Sequence, residues 1–429
     1  MKKFCVVAGL FIMAVFSGCG EEKEKILTVC TEAELKESAQ FIASAYQKLY
    51  PEITFNVEML PSNEEEREAV IKKIQTQTMA GEGPDIFLLP TKYGKDNIAQ
   101  KEPVFDNINK VMAAKVFLDL NTYMEKDKNF QREDYQEAVF QAGQYDKKQY
   151  LLPLSYSLQM MYMEKSSADT YDFTPLSPVC GLEDLKNKAE NTENPAFQYM
   201  SCGLITKTLE NYLSSSIDYK NQSVSLEEKE ILKLIEEESA FLKNCPAYTK
   251  GVKENMEYID DKIAVVDFKK SPVSVDYQQG VFTIPQNEEG KVLGEVCYYA
   301  AVSRSCSLPE EAYRYVMLFL DKNFQAGKEM ELEKGGQQGL VSILQQDIPV
   351  CKTAWDDWFM RLSNYQITDT SQGFESFKSA IDSPDGAVFN CAVNDYTNSL
   401  LQPMYQGGEI DCEAVAKELY SYYSQTAQE

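Results

Sequence analysis

The sequence predicts an α/β protein with a parallel sheet covered by helices on both faces and with at least two lobes. Three observations predict it. Strand-like and helix-like segments alternate over residues 26–89, and parallel strands need such crossover helices. The chain has 429 residues, more than the roughly 250–300 at which a single hydrophobic core stops growing. Finally, residues 149–162 form one long extended apolar and aromatic run, broken only by Pro153, that can cross between lobes.

The elements follow in order. Ile26 to Cys30 is a compact apolar run of strand length, and Leu35, Ala39, Ile42, Ala45, Tyr46 and Leu49 then recur at helical spacing until Pro51. Ile53, Phe55, Val57 and Met59 alternate, as in a strand with one buried face. A second helix runs from about Glu65 and ends at Gly81, where a left-handed terminal turn favours glycine. Ile86 to Leu89 is the third strand. In such sheets ligands bind beyond the carboxyl ends of the strands, which here points to Thr31, Glu32, Pro90 and Thr91, with Asp85 at the start of the third strand.

After the crossing run, Leu182 to Lys243 reads as helical and strongly charged, with its glutamates on solvated faces. Ile263 to Asp267 and Gly280 to Pro285 read as strands, and the latter is expected to form a hairpin with Val296 to Val302 around the Asn287–Gly290 turn. Leu308 to Phe324 is an amphipathic helix, and the remainder is mostly helical.

Composition narrows the function. The 67 acidic residues outnumber the 42 basic ones, giving a formal charge of −25, so nucleic acid and anionic headgroups are poor partners. There is no histidine, which removes the commonest general base, metal ligand and triad partner, so catalysis would rest on carboxylates or lysine. Neither a metal site nor a cofactor is expected. Of the 11 cysteines, Cys5 would leave with the signal and Cys19 would be lipidated, and the other nine are widely spaced without a C-x-x-C pair. Most read as small buried apolar residues, with one or two disulfides as the alternative.

The leader itself carries information. Lys2 and Lys3, an apolar stretch from Phe4 and the small residues Ser17 and Gly18 make a secretory signal, too short in its apolar part to span a bilayer. Cys19 follows at once, so the segment resembles the bacterial lipobox, with Phe16 where leucine is usual. That resemblance implies a diacylated Cys19 (a palmitate-type anchor) that becomes the new N-terminus, and two or three acyl chains hold a protein on a membrane where one does not. The alternative is a cleaved signal with an incidental cysteine. Without Lys2 and Lys3 the charge becomes −27.

Several segments together resemble the extracellular solute-binding proteins of ABC transporters, in particular sugar-binding family 1, which includes maltose-binding protein. They are Ala39 to Ile53, Met79-Ala80-Gly81-Glu82-Gly83-Pro84-Asp85-Ile86-Phe87, Phe117 to Leu120, Gln149 to Tyr162, Gly280 to Pro285, and Tyr405-Gln406-Gly407-Gly408 with the helix after it. The resemblance implies a periplasmic-binding-protein-like fold of type II, with two α/β lobes joined by a hinge around a ligand cleft that closes by bending. It divides the chain into signal 1–18, tether 19–25, lobe one at 26–157 and 283–330, and lobe two at 158–282 and 331–429. It also implies a monomeric, non-enzymatic, lipid-anchored receptor on the extracellular face of the membrane that delivers a sugar, as an oligosaccharide, to a permease.

Sugar sites combine aromatic platforms with carboxylate and amide partners. On that ground and by position Glu32, Asp85, Tyr156 and Ser157 are expected ligand-binding residues, and the family resemblance implies Phe268, Trp355 and Trp358 as well, so binding should alter the fluorescence of the two tryptophans. Each has a structural alternative: Tyr156 as hinge core, Asp85 as a loop brace, and the tryptophans, three apart, as one packed helix face. Two other functions compete, an exported carboxylate-dependent glycoside hydrolase and a receptor for a non-sugar solute.

Overall fold

A computed structural model describes residues 25–91, 103–173, 177–256, 262–266, 280–328, 347–362, 372–389 and 392–428. The chain opens as β1 (Lys25–Thr31), α1 (Ala33–Leu49), β2 (Ile53–Met59), α2 (Glu64–Ala80) and β3 (Ile86–Pro90). Local chemistry sets these boundaries. Asn63 caps α2 by accepting from the Glu66 N–H at 3.1 Å, and Gly81 ends it at φ +78°, a conformation that a Cβ disfavours. The chain continues through α3 (Ile108–Ala113), α4 (Asn121–Met124), α5 (Glu137–Gln141) and a small hairpin of β4 (Gln144–Tyr145) and β5 (Lys148–Gln149). It then enters β6 (Leu151–Ser157), every residue of which is buried.

Past Ser157 comes a second group: β7 (Met160–Met163), α6 (Lys165–Thr170), β8 (Val179–Cys180), α7 (Leu182–Glu190), α8 (Pro195–Ser215), a hairpin of β9 (Ile217–Asp218) and β10 (Ser223–Val224), α9 (Glu228–Lys243), α10 (Pro246–Glu254), β11 (Ile263–Val266) and β12 (Val281–Pro285). A return segment leads to β13 (Leu293–Val302), α11 (Pro309–Met317), α12 (Lys322–Gln325), β14 (Ile348–Pro349), α13 (Trp355–Leu362), α14 (Gln372–Ile381) and β15 (Gly386–Phe389). The last helices are α15 (Ala392–Tyr405) and α16 (Cys412–Gln428).

Two sheets define two lobes. The seven-stranded sheet runs β14-β6-β13-β3-β1-β2, with β15 beside β13. Its β2-β1-β3 part is parallel, and β13 then pairs antiparallel with both β3 and β6. The four-stranded sheet runs β11-β7-β12-β8. Among the described residues two segments cross between the lobes, Leu158–Gln159 and Gln286–Val292. The expected hairpin of Gly280–Pro285 with Val296–Val302 is therefore corrected, since β12 and β13 belong to different sheets and the turn between them is a crossing.

The expected lobe boundaries shift in two places. Lobe one resumes at β13, not at residue 283. The described residues 347–362 and 372–389 belong with lobe one rather than lobe two, because β14 pairs with β6, β15 pairs with β13, and Trp355, Trp358, Phe359, Phe377 and Ile381 pack into the core of the large sheet. Helical periodicity tells that a face is buried but not against which sheet.

The second sheet alternates as a two-faced strand layer should. Met161, Met163, Ile263 and Val281 face the core that α8, α9, α15 and α16 build, whereas Met160, Tyr162, Phe282 and Ile284 join the core of lobe one. Phe282 meets Phe377 edge-on at 5.2 Å and Tyr162 at 5.6 Å, so aromatic packing continues across the junction. Among the described residues no cysteine is joined in a disulfide, and all are buried except the half-buried Cys412. They behave as small apolar residues.

The second core also holds a carboxyl. Glu238 is 1% exposed, with the Lys186 ammonium 3.6 Å away. Burial pushes its pKa from 4.5 up to about 7 against the pull of Lys186. The folded chain thus keeps a proton that the unfolded chain releases above about pH 4.5, so this group's stability contribution is full below 4.5 and is lost as pH rises through about 7. In urea unfolding at a series of pH values, the difference between the native chain and Glu238→Gln should change across that window and be flat above it. A difference that does not vary with pH would refute the assignment.

Candidate functional site

The site lies where the lobes meet, and its walls come from three elements. Ser157 ends β6, and Leu158 and Gln159 form the first crossing. Asn287 and Lys291 to Glu295 carry the chain back into β13, while Leu204, Lys207, Thr208 and Asn211 lie on α8 of lobe two. They surround a small cavity that opens to solvent, with about 620 Å³ of empty space once the open mouth is included. The sheet register places Glu295 directly opposite Ser157. Thr91, just past β3, extends the pairing by donating its N–H to Cys297 O at 2.9 Å, so this part of β13 lies at the carboxyl end of β3, where sheets of this kind bind ligands.

A polar network ties the lobes together here. Lys207 Nζ is 3.1 Å from Glu295 Oε1 and 3.8 Å from Glu210 Oε2. Asn211 donates to the same Glu295 oxygen at 3.2 Å and accepts from Asn394 of α15 at 3.0 Å. Burial pulls the Lys207 ammonium down, but the carboxylates of Glu295 and Glu210 outweigh it and its pKa is raised. Burial likewise raises Glu210, with Lys207 opposing. Asn287 shapes the return crossing by accepting from the N–H groups of Glu289 at 3.0 Å and Lys291 at 2.9 Å. The arrangement offers hydroxyl, amide and charged groups in a confined space, suited to hydrogen-bonding a polar solute.

Of the residues expected from sequence, Ser157 lines this cavity. Glu32 does not reach it. Its carboxylate is 1% exposed and takes a two-pronged grip from Arg67 of α2, at 2.5 Å to Oε1 and 3.2 Å to Oε2. The ion pair clamps the end of β1 to α2. Asp85 sits at the opposite end of β3 from Pro90, where Oδ2 accepts the Thr28 N–H at 2.9 Å and the backbone carbonyl accepts from Ser303 at 2.7 Å. It braces β1 and β13 on β3. Tyr156 is fully buried and donates its hydroxyl to Ile381 O at 2.5 Å, so it is hinge core.

The tryptophans are core residues of lobe one, not cleft residues of lobe two. Trp355 donates Nε1–H to Pro349 O at 2.8 Å, and Trp358, 2% exposed, stacks with Phe377 at 6.3 Å. Their emission should therefore be blue-shifted and resist iodide quenching, and solute should change it little. Strong iodide quenching of the folded protein would contradict this placement. Phe268 and Cys19 lie outside the described residues. Sequence reading missed Lys207, Asn211 and Glu295, although Glu295 is a lone acid in the otherwise apolar Leu293–Val302 and so carried a signal.

No family model matches the chain, and no curated relative does. Solved structures do. An ABC substrate-binding protein from Listeria monocytogenes, in complex with cycloalternan, is 15% identical with a TM-score of 0.53, covering 94% of this chain and 99% of that one. An extracellular solute-binding protein of family 1 from Alicyclobacillus acidocaldarius is 13% identical with a TM-score of 0.57, covering 94% and 98%. A periplasmic oligogalacturonide-binding protein from Yersinia enterocolitica is 11% identical with a TM-score of 0.57, covering 94% and 99%. Two designed esterases are similar in the same way. The chain thus has the two-lobed fold of the periplasmic-binding-protein type.

Proposed function

We propose that this chain is an extracellular receptor that captures a carbohydrate, as an oligosaccharide, between its lobes and delivers it to the membrane subunits of an ABC importer. The observation that carries the reading is a cavity lined by polar groups at the junction of two lobes, beside the described crossings Leu158–Gln159 and Gln286–Val292. A solute that touches both walls binds one arrangement of the lobes better than others, and that differential affinity is what a permease can read as occupancy. Structural neighbours whose descriptions name cycloalternan, mannotriose and oligogalacturonide support the carbohydrate class. Ser157 joins Gln159, Asn211 and Asn287 as the hydrogen-bonding set, and Phe268 stays the proposed stacking residue. Anchoring through a diacylated Cys19 would hold the monomer near its permease.

The absence of histidine from the chain favours binding over turnover, and the neighbours described as substrate-binding proteins point the same way. The experiment is a thermal-shift and calorimetric screen of the purified protein against neutral and acidic oligosaccharides. A ligand at 100 times its Kd should add about 2.7 kcal/mol of stability. If no member binds, the carbohydrate reading fails. Hydrolysis of a glycoside, abolished by one Asp or Glu replacement, would establish the enzyme instead.

A further inference from the structure

Beyond the crossings, lobe two touches lobe one through an arm that continues from the end of α8. The arm is the β9–β10 hairpin, and it meets lobe one at Asn107 and at Asp146. Asn107, at the start of α3, donates Nδ2–H to the Tyr219 hydroxyl at 2.8 Å. Lys220 Nζ lies 2.5 Å from Asp146 Oδ1, at the tip of the β4–β5 hairpin. We propose that this arm is an interlobe latch: the Lys220–Asp146 and Tyr219–Asn107 contacts hold the lobes in the arrangement described and release when the lobes move apart.

Both sides are built to present these groups. Asp146 and Lys147 both have positive φ, +51° and +64°, in the two-residue turn where glycine or asparagine is the usual choice. Asn121 steadies that turn by donating to Lys147 O at 2.9 Å. On the arm, Asp218 accepts from the N–H groups of Lys220 and Asn221, each at 3.0 Å, which fixes the loop that carries the lysine. The lysine and aspartate side chains are more than half exposed. An exposed ion pair between two preorganised turns is strong enough to bias an equilibrium and weak enough to open, and salt screens it. The Lys207–Glu295 contact, by contrast, is enclosed at the pivot. The latch stands or falls independently of the solute's identity.

The test is a distance measurement between spin labels on Glu37→Cys in α1 and Glu254→Cys in α10, in a background with Cys19, Cys391 and Cys412 replaced by serine. At low salt the chain with the native latch should give one dominant distance. Lys220→Glu should move at least a third of the population to other distances, as should 1 M salt, and the swap Lys220→Glu with Asp146→Lys should restore the dominant distance. Tyr219→Phe should give a smaller shift in the same direction. A distribution unchanged by Lys220→Glu, or a swap that fails to restore it while the variants keep the parental melting temperature, overturns the latch.

Discussion

Replacing Glu32 by alanine should lower the stability of the protein by about 3–5 kcal/mol, because it leaves the Arg67 guanidinium buried without its counter-charge. Arg67 is 2% exposed and also donates to Pro61 O at 3.3 Å. The cost is therefore that of an uncompensated buried cation, not of a surface pair. Adding Arg67→Met to Glu32→Ala should recover much of the loss, since an apolar pair can replace a buried ion pair at little cost. Urea unfolding of the three variants checks this. A loss below about 1 kcal/mol in Glu32→Ala would mean that the carboxylate does not clamp α2. Solute affinity of the folded Glu32→Ala chain should be unaltered, which separates a brace from a ligand.

Phe282→Ala should have a comparable effect for a different reason. The ring is fully buried between Tyr162 of lobe two and Phe377 of α14, and removing a buried phenylalanine costs about 3–5 kcal/mol in transfer and cavity terms. Because this ring joins the sheet of one lobe to the core of the other, the loss should fall on their coupling. Calorimetry should resolve the native chain's unfolding into transitions closer together than those of the variant. If the variant instead unfolds as cooperatively as the native chain, aromatic packing does not couple the lobes.

Much of the first lobe could be read from sequence because its signals are local. Leu35, Ala39, Ile42 and Tyr46 repeat at helical spacing and form the buried face of α1, and Asn63 and Gly81 bound α2 by their own chemistry. The run 149–162 was legible as a crossing because it is too long and too apolar for one ordinary strand. What failed was non-local. Glu32 finds its partner 35 residues away, in an arginine that looks like any other charge on an acidic helix. Trp355 and Trp358 show the spacing of a packed face, but nothing in that spacing says that β14 would carry them to the edge of β6 in lobe one. The polar junction was hidden in the same way, since Lys207, Asn211 and Glu295 come together only when α8 lies across the crossings.

The central claim is that a guest bridging the two lobes changes their relation to each other. Its most direct measurement is small-angle scattering of the protein with and without an oligosaccharide that stabilises it in the thermal screen, at saturating concentration. The radius of gyration should fall on binding, and the Glu37–Glu254 label distance should narrow with the same midpoint. Saturable binding that leaves both quantities unchanged would contradict the account.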